Sequence, residues 1–163
     1  MTKALRTNAL RLLERAGVVY QLATYEYDED HLDALHAAEA MGVEPCRVFK
    51  TLCFLIDGRS SDFALVCVPS SSRVAPKKVA QALGAKSAEL APLAQLKSLT
   101  GYERGGCSPL GVARRHRFLL DKSAMMHQTI GVSAGARGAQ VWLAPNDLLS
   151  CAKGTVAEVT YDD

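Results

Sequence analysis

Val48-Phe49-Lys50-Thr51-Leu52-Cys53-Phe54-Leu55-Ile56 is the segment whose reading decides the fold. Successive side chains of a strand point to opposite faces, which puts Val48, Lys50, Leu52, Phe54 and Ile56 on one side and Phe49, Thr51, Cys53 and Leu55 on the other. Both sets are almost wholly apolar, so the segment belongs in the middle of a sheet. Asp57-Gly58 ends it, and DFALVCV from Asp62 follows, giving two apolar β runs around a turn-rich connection. Lys50 alone breaks the pattern. Its ammonium either reaches water along its apolar stem or sits in a pocket, where burial lowers its pKa and its charge can hold an anion or stabilise a developing oxyanion.

Upstream, Ala9, Leu12, Leu13 and Ala16 recur at helical spacing and Gly17 is a C-terminal stop. Val18 to Tyr27 reads as extended. The acidic stretch Asp28 to Asp33 then leads into an alanine-rich helix that Gly42 and Pro45 end. Downstream, Pro76 suits a first helical turn, with Val79, Ala82 and Leu83 as the apolar stripe before Gly84. Another helix is expected from Pro92 to Leu99. Beyond the glycine-rich TGYERGGCSPLG come short β runs at Phe118 to Asp121, Thr129 to Ser133 and Gln140 to Leu143, a helix from Asp147 to Ala152 and a last strand from Val156 to Tyr161. Helices and strands mingle without a strict βαβ rhythm, which favours α/β or α+β with a mixed sheet over a doubly wound parallel one.

The chain has 163 residues, 48% of them hydrophobic, enough for one continuous core, so a single domain over residues 1–163 is expected. The charged residues among the first twenty exclude the unbroken apolar stretch of a signal peptide, and no later segment approaches the roughly 20 apolar residues of a membrane span. Five cysteines, an odd number without a C-x-x-C pair, point to a reducing compartment and free thiols. These features predict a cytoplasmic protein that does not engage membranes. A formal charge of +2 is too small to mark a general nucleic-acid binder, because electrostatic affinity comes from clustered cations.

Gly105-Gly106-Cys107-Ser108-Pro109-Leu110-Gly111 combines three glycines with a fixed-φ proline, and Ser133-Ala134-Gly135-Ala136-Arg137-Gly138 is a second such loop between two expected strands. Either composition lets backbone approach a ligand closely, and either also serves simply to turn the chain. With Lys50 they form a pattern. Thr24-Tyr25-Glu26, Val48 to Leu52, Lys77-Lys78-Val79-Ala80, Leu83-Gly84-Ala85-Lys86, Thr100-Gly101-Tyr102, the first glycine loop, Val132-Ser133 and Arg137-Gly138 together make the chain resemble the YbaK/EbsC-type aminoacyl-tRNA deacylases over nearly its whole length.

That resemblance implies a mixed, barrel-like α/β sheet surrounded by helices, with a pocket beside the lysine and the glycine loops. It implies removal of a wrong amino acid from tRNA, Cys-tRNA(Pro) above all, by a hydrolase that needs neither cofactor nor metal. The partners implied are the acceptor end of misacylated tRNA and prolyl-tRNA synthetase, which cannot strongly reject amino acids of similar or smaller size. Carried onto this chain, Lys50 holds the substrate carbonyl or the terminal adenosine, flanked by Tyr25 and Thr51. Gly105 and Gly106 offer amides to the ester, Ser108 and Pro109 shape their loop, Ser133 and Gly135 line the other wall, and Arg137 contacts phosphate. The substrate's own thiol is the implied nucleophile, with release as a cyclic thiolactone. The family pattern has an aspartate two residues after Arg137-Gly138, where this chain has Gln140, a neutral amide that cannot pair with a cation as an ion pair.

Other readings of the same residues are a cysteine hydrolase, with Cys107 as nucleophile and His116 or His127 as base, and a metal site at His31, His36 and Glu39, whose spacing matches no standard zinc motif. A related deacylase acting on Ala-tRNA(Pro), or a non-catalytic module that binds tRNA or a synthetase, would retain the same loops. Lys77, Lys78, Lys86, Arg114, Arg115 and Arg117 would serve any tRNA-binding reading as phosphate contacts, or are simply solvated charge.

Overall fold

The computed structural model describes residues 5–161, so residues 1–4 and 162–163 of the expected 1–163 domain lie outside the described residues. In chain order these form α1 (Asn8–Ala16), β1 (Gln21–Thr24), α2 (Ala34–Met41), β2 (Phe49–Ile56), β3 (Arg59–Pro69), α3 (Pro76–Leu83), β4 (Ala88–Leu90) and α4 (Leu93–Thr100). They continue as β5 (Arg117–Asp121), β6 (Ile130–Ser133), β7 (Ala139–Leu143), α5 (Pro145–Ala152) and β8 (Thr155–Ala157), with short 3₁₀ turns at Pro45–Arg47 and Lys122–Met126.

The strands build two sheets, one in the order β4-β2-β3-β5-β8 and one in the order β1-β7-β6. β2 pairs antiparallel with β3 and β4, whereas β3–β5 and β5–β8 are parallel, so the larger sheet is mixed. A parallel bridge from Val48 to Gly131 ties the start of β2 to β6 and joins the sheets. The mixed α/β fold expected from the sequence is the fold observed.

The two-sided apolarity of β2 follows from this arrangement. Phe49, Cys53 and Leu55 pack with Leu65, Cys67 and Leu120 against Ile130, Val132, Val141 and Leu143 of the smaller sheet, and α1 and α5 cap that core with Leu13 and Leu148. Phe54 and Ile56, on the opposite face, pack with Ala64, Val66 and Leu119 under Val79 and Ala80 of α3. Fully burying a side chain of this size contributes about 1.5–3 kcal/mol, so the two faces of β2 together anchor the larger sheet.

Several elements differ from the sequence reading. The extended stretch expected over Val18 to Tyr27 pairs only at Gln21–Thr24, where β1 meets β7. The last strand is Thr155–Ala157, and the later expected residues contribute only an isolated bridge between Thr160 and Val74. β4 was not expected at all: three residues, one of them Glu89, carry too little period-2 signal to stand out from a loop. It is nevertheless what fixes the outer edge of β2.

Candidate active site

β4 pairs only with Phe54, Leu55 and Ile56, and β6 reaches β2 only through the isolated bridge at Val48, so Lys50 to Leu52 have no strand along that edge. The Cys53 carbonyl accepts from Ala91 N at 2.9 Å on this side, while the Val48 carbonyl accepts from Ser70 N at 2.7 Å on the β3 side. Backbone groups alternate in direction along a strand, so the amide and carbonyl of Thr51 face the open edge. A cavity of about 330 Å³ lies there, lined by Lys50, Thr51, Tyr25, Gly105, Ser133 and Gln140 among the expected residues, with Asp33, Arg104, Cys53 and Cys107 beside them. Leu32 and Ala37 close one side and Leu90, Leu93 and Leu96 another.

Lys50 is half-buried in this lining, and burial lowers its pKa while the charge of Asp33 partly offsets the shift. The pocket alternative for Lys50 is therefore the one the fold adopts. Asp33 is the N-cap of α2: its Oδ1 accepts from His36 N at 2.9 Å and its Oδ2 meets His36 Nδ1 at 2.7 Å. Burial pushes the Asp33 carboxyl up, but the two bonds from His36 outweigh it and hold the group below its ordinary value. Tyr25, just past β1, is fixed by its amide donating to Gly138 O at 2.9 Å. The hydroxyl of Thr51 is 3.2 Å from Cys67 Sγ, so its side chain turns into the sheet while its main chain faces the cavity.

The glycine loops meet each other. A Cβ on Gly106 would lie 3.2 Å from the backbone of Ala136 and Arg137, and Arg137 Nε donates to Arg104 O at 2.9 Å, clipping the loops together. Gly105 has φ +86°, and a Cβ there would come 2.9 Å from Leu32 Cβ, so a side chain at this position would be strained and would press on the cavity wall. The Ser133 hydroxyl accepts from Gly135 N at 3.1 Å, and α1 is tied to this loop by Thr7 Oγ1 donating to Ala134 O at 2.5 Å.

Not every expected site residue reaches the cavity. The Gly106 amide donates to Glu103 O at 2.9 Å, so it is consumed within its own loop and is not offered to a ligand. Gly106, Gly135 and Arg137 border a neighbouring groove of about 440 Å³ instead, and Arg137 also borders one of about 450 Å³ shared with Tyr25, Gly105 and Asp33. Ser108 and Pro109 are buried beneath the loop, where the Ser108 hydroxyl accepts from Leu110 N at 3.1 Å. These two residues support the wall and do not line it.

The cysteine-hydrolase reading loses its chemistry here. Cys107 lines the cavity, but burial pushes its pKa up to about 12, leaving almost no thiolate near neutrality. His116 stacks on Phe63 at 5.5 Å, and neither it nor His127 belongs to the lining. Among the described residues no three His, Cys, Asp or Glu are grouped to hold a metal ion, and His31 and His36 each engage an aspartate. Of the basic clusters, Lys78 bonds Thr160 O and Glu158, Arg117 bonds Leu83 O and Asp62, and Arg114 bonds Ser98 O, so these serve the fold. The cation the sequence reading passed over is Arg104, exposed at the cavity beside Gly105; its adjacency to the glycine pair was the available signal. Asp33 was passed over too, although an aspartate before an alanine-rich run marks an N-cap.

The site is thus a small pocket in an α/β domain, with a half-buried lysine at the open edge of a central strand and two interlocked glycine loops facing it. The fold matches, at TM-score 0.81 and 23% identity, the crystal structure of a candidate trans-editing enzyme for prolyl tRNA synthetase, over 98% of this chain and 100% of that one. The chain belongs to the aminoacyl-tRNA editing domain family, whose model matches residues 28–151. It is 39% identical to the candidate Cys-tRNA(Pro)/Cys-tRNA(Cys) deacylase EbsC of Enterococcus faecalis, over 95% of this chain and 93% of that protein. It is also 31% identical to the uncharacterized protein YwhH of Bacillus subtilis, over 76% of each. Aminoacyl-tRNA editing by deacylation is the activity these matches support.

Proposed function

We propose that the chain is a trans-editing hydrolase that clears Cys-tRNA(Pro), working in the cytoplasm beside prolyl-tRNA synthetase. The observation that carries the reading is Lys50, a partly desolvated cation at the open edge of β2 in a cavity of about 330 Å³ whose walls offer no activated nucleophile. A pocket of that size suits a small aminoacyl group with part of its ribose. The Lys50 ammonium and the outward amide of Thr51 supply positive potential for the oxyanion that develops on the ester carbonyl. Tyr25, Gly105, Ser133 and Gln140 fix the acyl group, and Arg104 and Arg137 meet the terminal phosphates.

With the pocket's own thiols held protonated by burial, the attacking group comes from the substrate or from water. In the first case the cysteinyl sulfur forms a C–S bond to its own carbonyl, the ester C–O bond breaks, and the thiol proton goes to the leaving ribose oxygen. The resulting cyclic thiolactone is then opened by water. Positioning alone makes such an internal attack efficient, because no second molecule has to be brought in. A second reading, hydrolysis of Ala-tRNA(Pro) by water, is favoured by the neutral Gln140 and the apolar wall of Ala37, Leu90 and Leu96.

Deacylation rates on Cys-tRNA(Pro), Ala-tRNA(Pro) and Pro-tRNA(Pro), for the wild type and Lys50→Ala, test this. Selective loss of the cysteinyl ester that disappears in the variant supports the first reading, and selective loss of the alanyl ester supports the second. Folded protein that cleaves none of them above background overturns both and leaves a tRNA- or synthetase-binding module.

A further inference from the structure

Among the described residues, Gln140 is the one buried polar side chain of the cavity wall left incomplete. It is 5% exposed, it sits on β7 opposite Ser133 of β6 and Ala23 of β1, and its Oε1 is buried with no hydrogen-bond partner among the described residues. An unpaired buried carbonyl destabilises a fold by about 1–3 kcal/mol, so its presence on a ligand cavity points to a donor brought by the ligand. The neighbouring Ser133 hydroxyl accepts from Gly135 N, and among the described residues it makes no bond to the Gln140 carbonyl, so that acceptor is left for a ligand.

The charges around the cavity narrow the donor's nature. Its lining holds two cations, Lys50 and Arg104, and a single carboxylate, Asp33. Asp33 is held in place by both the amide and the imidazole of His36, and its charge reaches Lys50. A third cation entering this space needs an acceptor away from Lys50 and Arg104 and a negative charge in range. An aminoacyl ester carries one such group, its α-ammonium, which has three donors and sits two bonds from the ester carbonyl carbon.

We propose that the cavity recognises the free α-ammonium of the aminoacyl ester through the orphaned carbonyl of Gln140, with Asp33 supplying the neutralising charge from the N-terminus of α2. This rests on the deacylase reading and deepens it: the site selects for a free amine as well as for a small side chain. It also gives Gln140 a role suited to an amide. It supplies the hydrogen-bond acceptor, and the charge comes from a different element.

The test compares aminoacyl esters with 2-hydroxyacyl esters of the same side chains on the same tRNA, which replace the ammonium by a hydroxyl of similar size. Wild-type protein is expected to prefer the amine-bearing ester. Gln140→Met, which keeps volume and removes the acceptor, is expected to lower kcat/KM on that ester by about 10- to 100-fold, the worth of one charge-assisted hydrogen bond, and to lower it on the hydroxy ester by a clearly smaller factor, because a hydroxyl loses only a neutral bond. Asp33→Asn, which retains an N-cap side chain, is expected to reduce the same preference by a smaller factor. Melting of Gln140→Met at or above the wild-type temperature supports an acceptor that serves the ligand. Equal losses on both esters, or a preference that neither variant changes, overturn the proposal while leaving a deacylase. Wild-type protein that cleaves neither ester overturns this proposal and the deacylase reading together.

Discussion

The two halves of β2, Phe49-Lys50-Thr51-Leu52 and Cys53-Phe54-Leu55-Ile56, have opposite fates. Cys53 to Ile56 is buried throughout, flanked by β3 on one edge and β4 on the other, and filled in from both faces. Lys50 to Leu52 has the same β3 partner and no strand on the other edge, so all three residues are only half-buried. A neighbouring strand of three residues therefore decides where core ends and site begins. The strand that stabilises the sheet also presents a rigid edge to the substrate, which is a more exact platform than a loop would be.

The largest effect that would break this division is at Lys50. Lys50→Met is expected to lower the deacylation rate by about 10²- to 10³-fold, as removal of a main oxyanion-stabilising group does, with no loss of thermal stability, since a partly desolvated charge is removed. Single-turnover hydrolysis and a melting curve measure both. An inactive variant that also melts early would place Lys50 in the structural half of the strand.

Phe54→Ala, in the other half, is expected to destabilise the protein by about 3–5 kcal/mol through loss of a fully buried ring, measured by denaturant unfolding. Its kcat/KM at a temperature where it remains folded should stay within a few-fold of wild type. A folded Phe54→Ala protein that loses activity as Lys50→Met does would erase the contrast.

Gly105→Ala sharpens the boundary on the facing wall. The φ of +86° and the approach to Leu32 predict a loss of about 1–3 kcal/mol in stability together with a raised KM, because the strain falls on the cavity wall. A variant with altered stability and unchanged KM would detach this loop from the site.

The smallest effect is a pH dependence. Burial sets the folded pKa of Lys50 below its ordinary value of 10.5, so between the two values the unfolded chain binds the extra proton and stability rises with pH. The stability difference between wild type and Lys50→Met should therefore shrink as pH rises through the folded pKa toward 10.5. Denaturant titrations over that range read the trend, and a constant difference would mean the ammonium is as well hydrated in the fold as outside it.

Much of the fold was written in local pattern. Alternation along β2 and β3, helical spacing with glycine stops after Ala16, Met41 and Leu83, and the proline of α3 are short-range signals, and each became the element expected. Tyr25, Lys50, Thr51, Gly105, Ser133 and Gln140 were marked for one site and do line one cavity. The family resemblance implied that Gly106 would offer its amide to the ligand and that Ser108 and Pro109 would shape the same loop. A loop has two sides, and only packing against Ala136 and Leu110 assigns these residues to the side turned away.

The sequence by itself determined that β2 would be central and that Lys50 would be its misfit, because burial on two faces requires a run of apolar residues whatever the neighbours are. Only the tertiary structure decided that β4 stops at Phe54, that the Gly106 amide is spent on Glu103, and that Asp33 and Gln140 border the same space from elements 107 positions apart in the chain. Period and composition report on what a residue's own element demands. Which edge stays open and which carbonyl lacks a donor depend on where distant elements come to rest, and no local pattern encodes that.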